Sequence, residues 1–266
     1  VLAKNSFAVA SSGERYDMRF SMGHNYQQGI VPNTNLNILN FNATLGFDFT
    51  KKLRFESNIN YNRQYSDNFP DANYGPNSII YNIVTWAGAD WDVDDMKNYW
   101  QEGKEGVQQI YAEYQRYNNP WFMSKEWLRG HYKNDVYGYG SLTYSFTDKL
   151  KLVGRTSITS YDLLRDEKFP YSAGSYGRDE RKGDYREDRR SLFENNTDVL
   201  LTYNESFGKV GVNLLGGANI RSFSYRSNYA STDYLITPGV YSFTNSLNPA
   251  RVFSFESKMG VASAYY

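Results

Sequence analysis

The sequence predicts an all-β fold, an antiparallel transmembrane β-barrel of which this chain supplies about nine strands. Three observations predict it: a strict alternation of apolar and polar residues, connections that alternate between short and long, and a high aromatic content. The alternation is clearest from Leu39 to Phe49, where odd positions are apolar and even positions are polar or glycine. Because side chains two residues apart in a strand point to the same side, this segment has one apolar and one polar face.

The length of this segment matches a strand that crosses an outer membrane. At a rise of ~3.3 Å per residue, residues 39–49 extend ~36 Å and, at a tilt of ~45°, cross the ~25 Å apolar band of such barrels. The opposite face is polar along its whole length. We therefore expect lipid on the apolar face and water on the polar face.

The same alternation predicts the other strands. Their apolar positions are Phe7 and Val9; Tyr16, Met18, Phe20 and Met22; Leu53, Phe55, Ile59 and Tyr61; Leu142, Tyr144 and Phe146; Leu150, Leu152 and Ile158; Phe193, Val199, Leu201 and Tyr203; and Val210, Val212, Leu214, Ala218 and Ile220. A final strand is expected to begin at about Phe255 and to run to Tyr266.

The connections separate by length. Short turns are predicted near residues 13, 51, 148 and 208, and long loops alternate with them. The long loops include residues 68–129, residues 164–190 and the segment that ends near Phe255. Short periplasmic turns and long outer loops are typical of bacterial outer-membrane barrels, whereas a sandwich or propeller does not sort its loops in this way.

The composition supports a barrel and argues against other classes. The 25 Tyr, 16 Phe and 5 Trp fit the aromatic girdles at the two membrane interfaces. A mean hydropathy of −0.68 and the lack of any run of ~20 apolar residues argue against a helical membrane protein. The 29 basic and 29 acidic residues balance, so nothing indicates a nucleic-acid partner. Without cysteine, the order of the chain must come from sheet hydrogen bonds.

The strand count predicts that residues 1–266 are part of a larger barrel domain. Bacterial barrels have an even number of strands, whereas this chain has about nine and its last strand breaks off at Tyr266. The loop of about residues 68–129 is expected to be extracellular. Within it, Asp94 or Asp95 is predicted to start a short helix that runs through Trp100.

Several motifs resemble those of SusC/RagA-type TonB-dependent transporters of Bacteroidetes. The first is YDMRFSMG at residues 16–23, which is followed by QQGIVPN at residues 27–33. Further similar pieces follow in the family's order: TKKL at 50–53, DVDDMKNYW at 92–100, YNNPWF at 117–122 and PGVYSFTNS at 238–246. Together they cover nearly the whole chain.

The resemblance implies a barrel of about 22 strands that is occluded by an N-terminal plug. By this resemblance the chain covers roughly the second to tenth strands, so the plug and the TonB box are expected outside it. The family works with a SusD-like surface lipoprotein and is powered by TonB–ExbB–ExbD. Its usual cargo is a glycan oligosaccharide, and peptides are a known variation. No enzymatic activity and no cofactor are implied.

No catalytic residue or metal site is predicted. The acidic stretch at residues 90–95 invites a calcium interpretation, but an EF-hand loop counted from its first residue needs Gly at position 95 and Glu at position 101. The chain has Asp95 and Gln101 there, so acids at a helix start explain the stretch better. His24 and His131 lie far apart in the chain. No Gly-x-Ser-x-Gly motif of a nucleophilic hydrolase occurs.

The predicted ligand-binding residues are tryptophans of the longest loop. Trp86, Trp91 and Trp100 are assigned to the cargo side because the C–H faces of sugars stack on aromatic rings. The alternative is that the loop packs these residues into a small core of its own. The charged run at residues 178–190 is interpreted as a solvated strand extension and loop, with docking to the lipoprotein as the alternative.

The predicted function is TonB-dependent import of an oligomeric nutrient across the outer membrane. Two alternatives stay open at this point. One is a passive porin or small outer-membrane barrel, which needs no plug. The other is a soluble β-rich module that binds glycans.

Overall fold

The computed structural model describes residues 1–69, 75–86, 88, 90–113, 117–175 and 177–265, apart from the side chains of Pro76 and Trp86. They form one nine-stranded sheet in which every strand pairs with the next along the chain, which confirms the predicted all-β antiparallel fold. The strands are β1 (Leu2–Ser12), β2 (Tyr16–Gln28), β3 (Asn35–Thr50), β4 (Leu53–Ser66), β5 (Leu128–Ser145), β6 (Leu150–Phe169), β7 (Asp184–Phe207), β8 (Val210–Leu235) and β9 (Ser246–Tyr265).

The short turns form where the sequence supplies turn chemistry. The Thr50 hydroxyl accepts hydrogen bonds from the backbone N–H groups of Lys52 and Leu53, both at 3.1 Å. Thr147 does the same in the turn between β5 and β6. Gly208 has a φ of +64°, which glycine adopts without strain, in the turn between β7 and β8. Because consecutive strands are antiparallel neighbours, all short turns lie at one end of the sheet and all long loops at the other.

The pairing register confirms the two predicted faces. Phe41 lies opposite both Met22 and Tyr61, and these side chains share one face. Asn42 and Asn60 are paired on the other face. We call them the apolar face and the polar face. The apolar face carries the odd positions of β1, β3, β4 and β7 and the even positions of β2, β5, β6, β8 and β9.

The apolar rows are open rather than buried in a core. Phe41, Leu142, Val199 and Leu214 are all exposed, and Leu214 reaches 61%. Exposed apolar rows of this extent on adjacent strands need an apolar medium or partner. The polar face is the more covered of the two along β3, where Gly46 is buried.

Four strands, β6 to β9, are longer than predicted, and the loop bounds at residues 164–190 and before Phe255 are wrong, since β9 already begins at Ser246. β6 continues to Phe169, β7 begins at Asp184, and β8 has 26 residues. At ~3.3 Å per residue and a ~45° tilt, β8 rises ~60 Å, more than twice an apolar band of ~25 Å. Toward these ends the apolar residues of β6 and β7 no longer keep to alternate positions, and those of β8 move from even to odd positions after Ile220, so the alternation that predicts the strands is interrupted.

The helices are short and lie in the longest loop, between β4 and β5, except for a 3₁₀ turn at Phe243–Asn245 in the β8–β9 loop. The predicted helix through Trp100 is wrong, because only one 3₁₀ turn forms, at Asp95–Lys97, and Asp94 makes no side-chain cap. The sequence reasoning missed two helices, α1 (Ile79–Tyr81) and α2 (Pro120–Glu126). No helix in the described part of the chain is long and apolar enough to cross a membrane.

The start of α2 has a clear sequence signal. The Asn119 side chain accepts hydrogen bonds from the backbone N–H of Trp121 at 2.9 Å and of Phe122 at 3.4 Å. Pro120 occupies the first helical position, where its missing N–H costs nothing. The Asn-Pro pair is therefore an N-terminal signature that places the helix.

A buried apolar core lies at the long-loop end of the sheet. It consists of Val31, Ile79, Phe122, Met123, Trp127, Phe169 and Ala173. These residues come from the β2–β3 loop, the β4–β5 loop, the last residue of β6 and the start of the β6–β7 loop. The long loop is thus structured, as its aromatic content predicts.

The two faces predict opposite responses to a charge. Leu214→Arg should destabilise the folded protein by about 2–4 kcal/mol, because arginine on the lipid face near the midplane is costly. Phe47→Arg should act in the same direction but less strongly, since Phe47 lies closer to its turn. Urea titration of the protein folded in lipid bilayers measures both effects.

Asn213→Arg is the matched control, because Asn213 precedes Leu214 and lies on the polar face. Its cost should be small. Equal destabilisation by the arginines at positions 213 and 214 would contradict the assignment of the two faces.

Candidate functional site

The polar face of the middle strands carries a network of uncharged side chains. Asn42 donates from Nδ2 to Asn60 Oδ1 at 2.7 Å, and Asn60 donates to Asn58 Oδ1 at 2.6 Å. Asn58 in turn donates to the Thr44 hydroxyl at 2.9 Å. Each asparagine is thereby fixed in orientation by a neighbour. This wall presents polar, uncharged groups on the polar face of the sheet.

A concavity of about 390 Å³ continues this wall toward β5 and β6. Its lining includes the polar-face residues Asn58, Asn60, Tyr137, Tyr139, Arg155, Ser157 and Thr159. Amides, hydroxyls and phenols dominate it. Its chemistry suits hydrogen bonding to a polar surface.

The tryptophans predicted to bind cargo lie in different surroundings. Trp100 packs edge-on against Phe122 with ring centroids 5.3 Å apart and contacts the loop core. Trp91 is half-buried, and its backbone N–H donates to the carbonyl of Gly88 at 3.1 Å. The side chain of Trp86 lies outside the described residues. The structure thus supports the loop-core alternative for Trp100, while a cargo role for the three residues stays a prediction.

The two other tryptophans of the loop are tied to structural partners. Trp121 donates its indole N–H to the carbonyl of Val93 at 2.5 Å. Trp127 is buried and donates to Glu167 Oε1 at 2.7 Å, which joins the loop to β6.

A buried amide network joins the β4–β5 loop to the β6–β7 loop. Gln109 donates from Nε2 to the carbonyl of Ser172 at 2.8 Å and to Asn118 Oδ1 at 3.0 Å. Asn118 exchanges two hydrogen bonds with the backbone of Gly174, at 2.7 and 2.9 Å. Gln109 and Asn118 are fully buried. Because these groups have no access to water, the two loops hold together as one unit.

The charged run at residues 178–190 is divided between a buried ion-pair cluster and a strand. Asp184 is 1% exposed and accepts from Arg178 at 2.7 Å and from Arg186 at 3.2 Å. Arg178 also binds Asp233 at 2.8 Å and lies 3.8 Å above the ring of Tyr234. This part of the run fixes the β6–β7 loop against the end of β8. Docking of a lipoprotein to the remaining residues stays a prediction.

The acids at residues 90–95 and the histidines have local partners. Asp92 accepts from the backbone N–H of Asp94 at 2.8 Å, and Asp94 pairs with Lys97 at 2.8 Å. His24 bonds Asn37, and His131 stacks on Phe69. Among the residues that the structure describes, no cluster of three His, Cys, Asp or Glu side chains could hold a metal ion.

One phenol in the loop has a perturbed pKa. Burial and the hydrogen bond that its hydroxyl donates to Glu126 at 2.8 Å raise the pKa of Tyr99 to about 12. Both causes favour the neutral phenol. Tyr99 also packs edge-on against Phe122, so its hydrogen bond to Glu126 holds the phenol ring against the loop core.

The sequence reasoning missed a group of aromatic residues on the polar face of β8 and β9. This aromatic strip consists of Phe223, Tyr225, Tyr229, Phe253 and Phe255, and Met259 lies opposite Phe223. Phe253 is 64% exposed and Phe255 is 58% exposed. The sequence signal that could have revealed them is the series of apolar residues at odd positions of the last strand, which continues to Val261.

Solved structures share this fold at low sequence identity. The RagAB peptide transporter matches with a TM-score of 0.67 and 12% identity over 98% of this chain. The RagAB peptide importer in its open-open state gives 0.65 and 14% over 99%. BauA, the ferric preacinetobactin receptor from Acinetobacter baumannii, gives 0.52 and 10% over 99% of this chain and 36% of its own.

The chain spans 29% of the length of the RagAB chains that it matches. No family model matches it, and no curated protein sequence matches it. At these identities the likeness establishes the fold alone. The nine-stranded antiparallel sheet therefore has the same fold as a segment of these transporter and receptor chains.

The amide network makes a prediction about the loop. Gln109→Ala should increase proteolysis and hydrogen exchange across residues 90–113, because it removes the hydrogen bonds to Ser172 and Asn118 and leaves the buried N–H of Asn119 without its acceptor, at a cost of about 1–3 kcal/mol. Gln101→Ala, in the same loop but half-exposed, should change neither rate appreciably. Equal protection in the two variants would show that the loops are held by other contacts.

The phenol of Tyr99 makes a second prediction. Its raised pKa means that the stability it contributes is complete below pH 10 and is lost as the pH rises toward about 12. The difference in tyrosinate absorbance between the wild type and Tyr99→Phe isolates this one phenol. Its titration midpoint should lie near 12, and a midpoint near 10 would contradict burial of the hydroxyl.

Proposed function

We propose that this chain is part of the β-barrel domain of a TonB-dependent transporter that imports an oligomeric nutrient across the outer membrane. The observation that carries the proposal is the two-faced sheet. Its open apolar rows, its polar opposite face and its sorted turns and loops accompany the same fold as the RagAB peptide transporter. A soluble module would leave the apolar rows in water, which disfavours that alternative.

The orientation follows from the lengths of the connections. The short turns face the periplasm, and the loop between β4 and β5, with the core that it forms, lies outside the cell. The β6–β7 loop is locked to it through Ser172 and Gly174. This loop assembly is placed to meet cargo and a partner before they reach the barrel.

The proposed cargo is a glycan oligosaccharide, with peptide as the alternative. The polar face offers amides and hydroxyls, such as those of Asn42 and Asn58, which suit the many hydroxyls of a sugar chain. One of the matched structures is a peptide transporter, so peptide stays the alternative cargo. We propose a SusD-like surface lipoprotein and the TonB–ExbB–ExbD complex as partners, on the motif resemblance.

Growth experiments test the import. Cells that depend on the complete transporter should grow on the cargo oligosaccharide only when TonB is present, because a plugged barrel needs energy to open. Deletion of residues 86–100 should abolish this growth while barrel assembly, judged by heat-modifiable migration, is retained. Deletion of the exposed tip at residues 102–106 is the control and should leave growth intact.

A point substitution separates binding from packing, because the deletion also removes Trp100 from the loop core. Trp91→Ala should slow uptake without loosening the loop. Uptake that persists without TonB would favour a passive porin. Normal uptake by the deletion variant would assign residues 86–100 to packing alone.

A further inference from the structure

We propose that a concavity on the apolar face of the sheet, above the apolar rows, binds the phosphorylated sugar head of an outer-leaflet glycolipid. We call it the outer concavity. It has a volume of about 440 Å³ and lies across β5, β6, β7 and β8. The inference rests on the proposed barrel in the outer membrane, in which the apolar face is the outside. It concerns the lipid around the barrel and does not depend on the cargo.

The outer concavity is open on the outside of the sheet and away from its edges. Its lining side chains lie at even positions of β5, β6 and β8 and at odd positions of β7, which is the apolar face. Each of these four strands is hydrogen-bonded to a neighbour on both sides. Further strands that close a barrel leave this outer wall uncovered. The polar side chains of the lining are Asn134, Asp162, Arg189, Ser191, Arg226 and Asn228.

The outer concavity begins where the apolar rows end. Val136 lies two residues from Asn134 on β5, and Phe193 lies two residues from Ser191 on β7. In both strands the apolar residue is the one nearer to the short turn. On the proposed orientation, the concavity therefore starts at the outer boundary of the apolar band.

On β8 the outer concavity reaches higher than a phospholipid head does. Ile220 is the last apolar residue before Arg226, which follows six residues later on the same face. At ~3.3 Å per residue and a ~45° tilt, this distance corresponds to a rise of ~14 Å. The polar head region of a phospholipid leaflet is only ~5–8 Å deep. A head that carries sugar extends further and reaches both ends of the site.

Two arginines on adjacent strands supply the positive charge. Arg189 lies on β7 opposite Asn228 of β8, and Arg226 lies on β8 opposite Ser191 of β7. The two arginines are therefore diagonal neighbours on one face, and both line the same concavity. A guanidinium binds phosphate oxygens through pairs of N–H groups, so two of them beside one concavity suit a phosphate.

Each guanidinium is positioned by a carboxylate and still has donors to spare. Arg189 donates from Nε to Glu187 at 2.8 Å, and Arg226 donates from Nη2 to Glu256 at 3.2 Å. Each bond uses one N–H group of the five that a guanidinium carries. The side chains are 60% and 59% exposed. The ion pairs thus hold the two arginines at the concavity and leave the other N–H groups open to a ligand.

The remaining polar groups favour a phosphate that is carried on a sugar. Asn134 supplies an amide, and Asp162 supplies a carboxylate that accepts from hydroxyl groups but repels a bare phosphate. Asp162 lies opposite Ser191, which lies opposite Arg226, so the acid and the arginine are two strands or ~10 Å apart. A sugar phosphate places its anionic group at the arginines and its hydroxyls at Asp162.

Native mass spectrometry of the complete transporter, released from detergent, tests the site. The probes are bisphosphorylated lipid A, the same lipid A after dephosphorylation, phosphatidylglycerol, and glucosamine 1-phosphate as a soluble sugar phosphate. The wild type should retain bisphosphorylated lipid A and bind every other probe at least about tenfold more weakly. Arg189→Gln/Arg226→Gln should weaken retention at least about tenfold, because each basic residue at an anionic lipid surface contributes about fivefold in affinity.

Two further variants control for charge and for position. Arg190→Gln/Arg221→Gln removes two arginines from the same strands on the polar face and should leave retention unchanged. Arg189→Lys/Arg226→Lys keeps both positive charges and should restore retention to within about threefold of the wild type. Heat-modifiable migration confirms that each barrel is folded.

Several results would overturn the inference. They are no retention of lipid A, equal retention with and without its phosphates, and equal losses in the two glutamine variants. Tighter binding of phosphatidylglycerol would assign the concavity to a phospholipid, and equal binding of glucosamine 1-phosphate would assign it to a soluble anion. Dependence of uptake on TonB is measured separately. If uptake proves independent of TonB while the lipid difference holds, the energised-import proposal fails and the lipid site stands.

Discussion

The constraint on which the structure depends is that backbone N–H and C=O groups without access to water must find partners within the protein. The chain meets it with consecutive antiparallel pairs, in which each of the inner strands β2 to β8 is bonded to both neighbours in the sheet. Consecutive pairing makes every connection a hairpin. Hairpins place short turns at one end and long loops at the other, and they align apolar residues on one face, as Phe41 shows between Met22 and Tyr61.

Outside the apolar band a different set of interactions holds the protein together. The strands continue as β7 and β8, and charged residues pair along and across them, as Arg221 does with Glu194. The loops add a core around Phe122 and a buried amide network around Gln109. The loop end is therefore organised like a small globular protein, whereas the part with the apolar rows is held together by its sheet hydrogen bonds.

The aromatic residues divide into three groups according to these surroundings. Those of the apolar rows are open on the apolar face. Those of the long loop, such as Trp100 and Trp127, are packed in or against its core. Those of the strip lie on the polar face of β8 and β9.

The sequence by itself determined the part of the sheet with the apolar rows, because a period of two depends only on each strand and its surroundings. The apolar rows, the turns at Thr50 and Thr147 and the sorting of loops all follow from local residues. The tertiary structure decided the rest. The extent of β8, the packing of Trp100 on Phe122 and the exposure of Phe253 depend on partners distant in the chain. A tryptophan in a polar loop has the same local pattern whether it binds cargo or fills a core, and only long-range packing distinguishes the two.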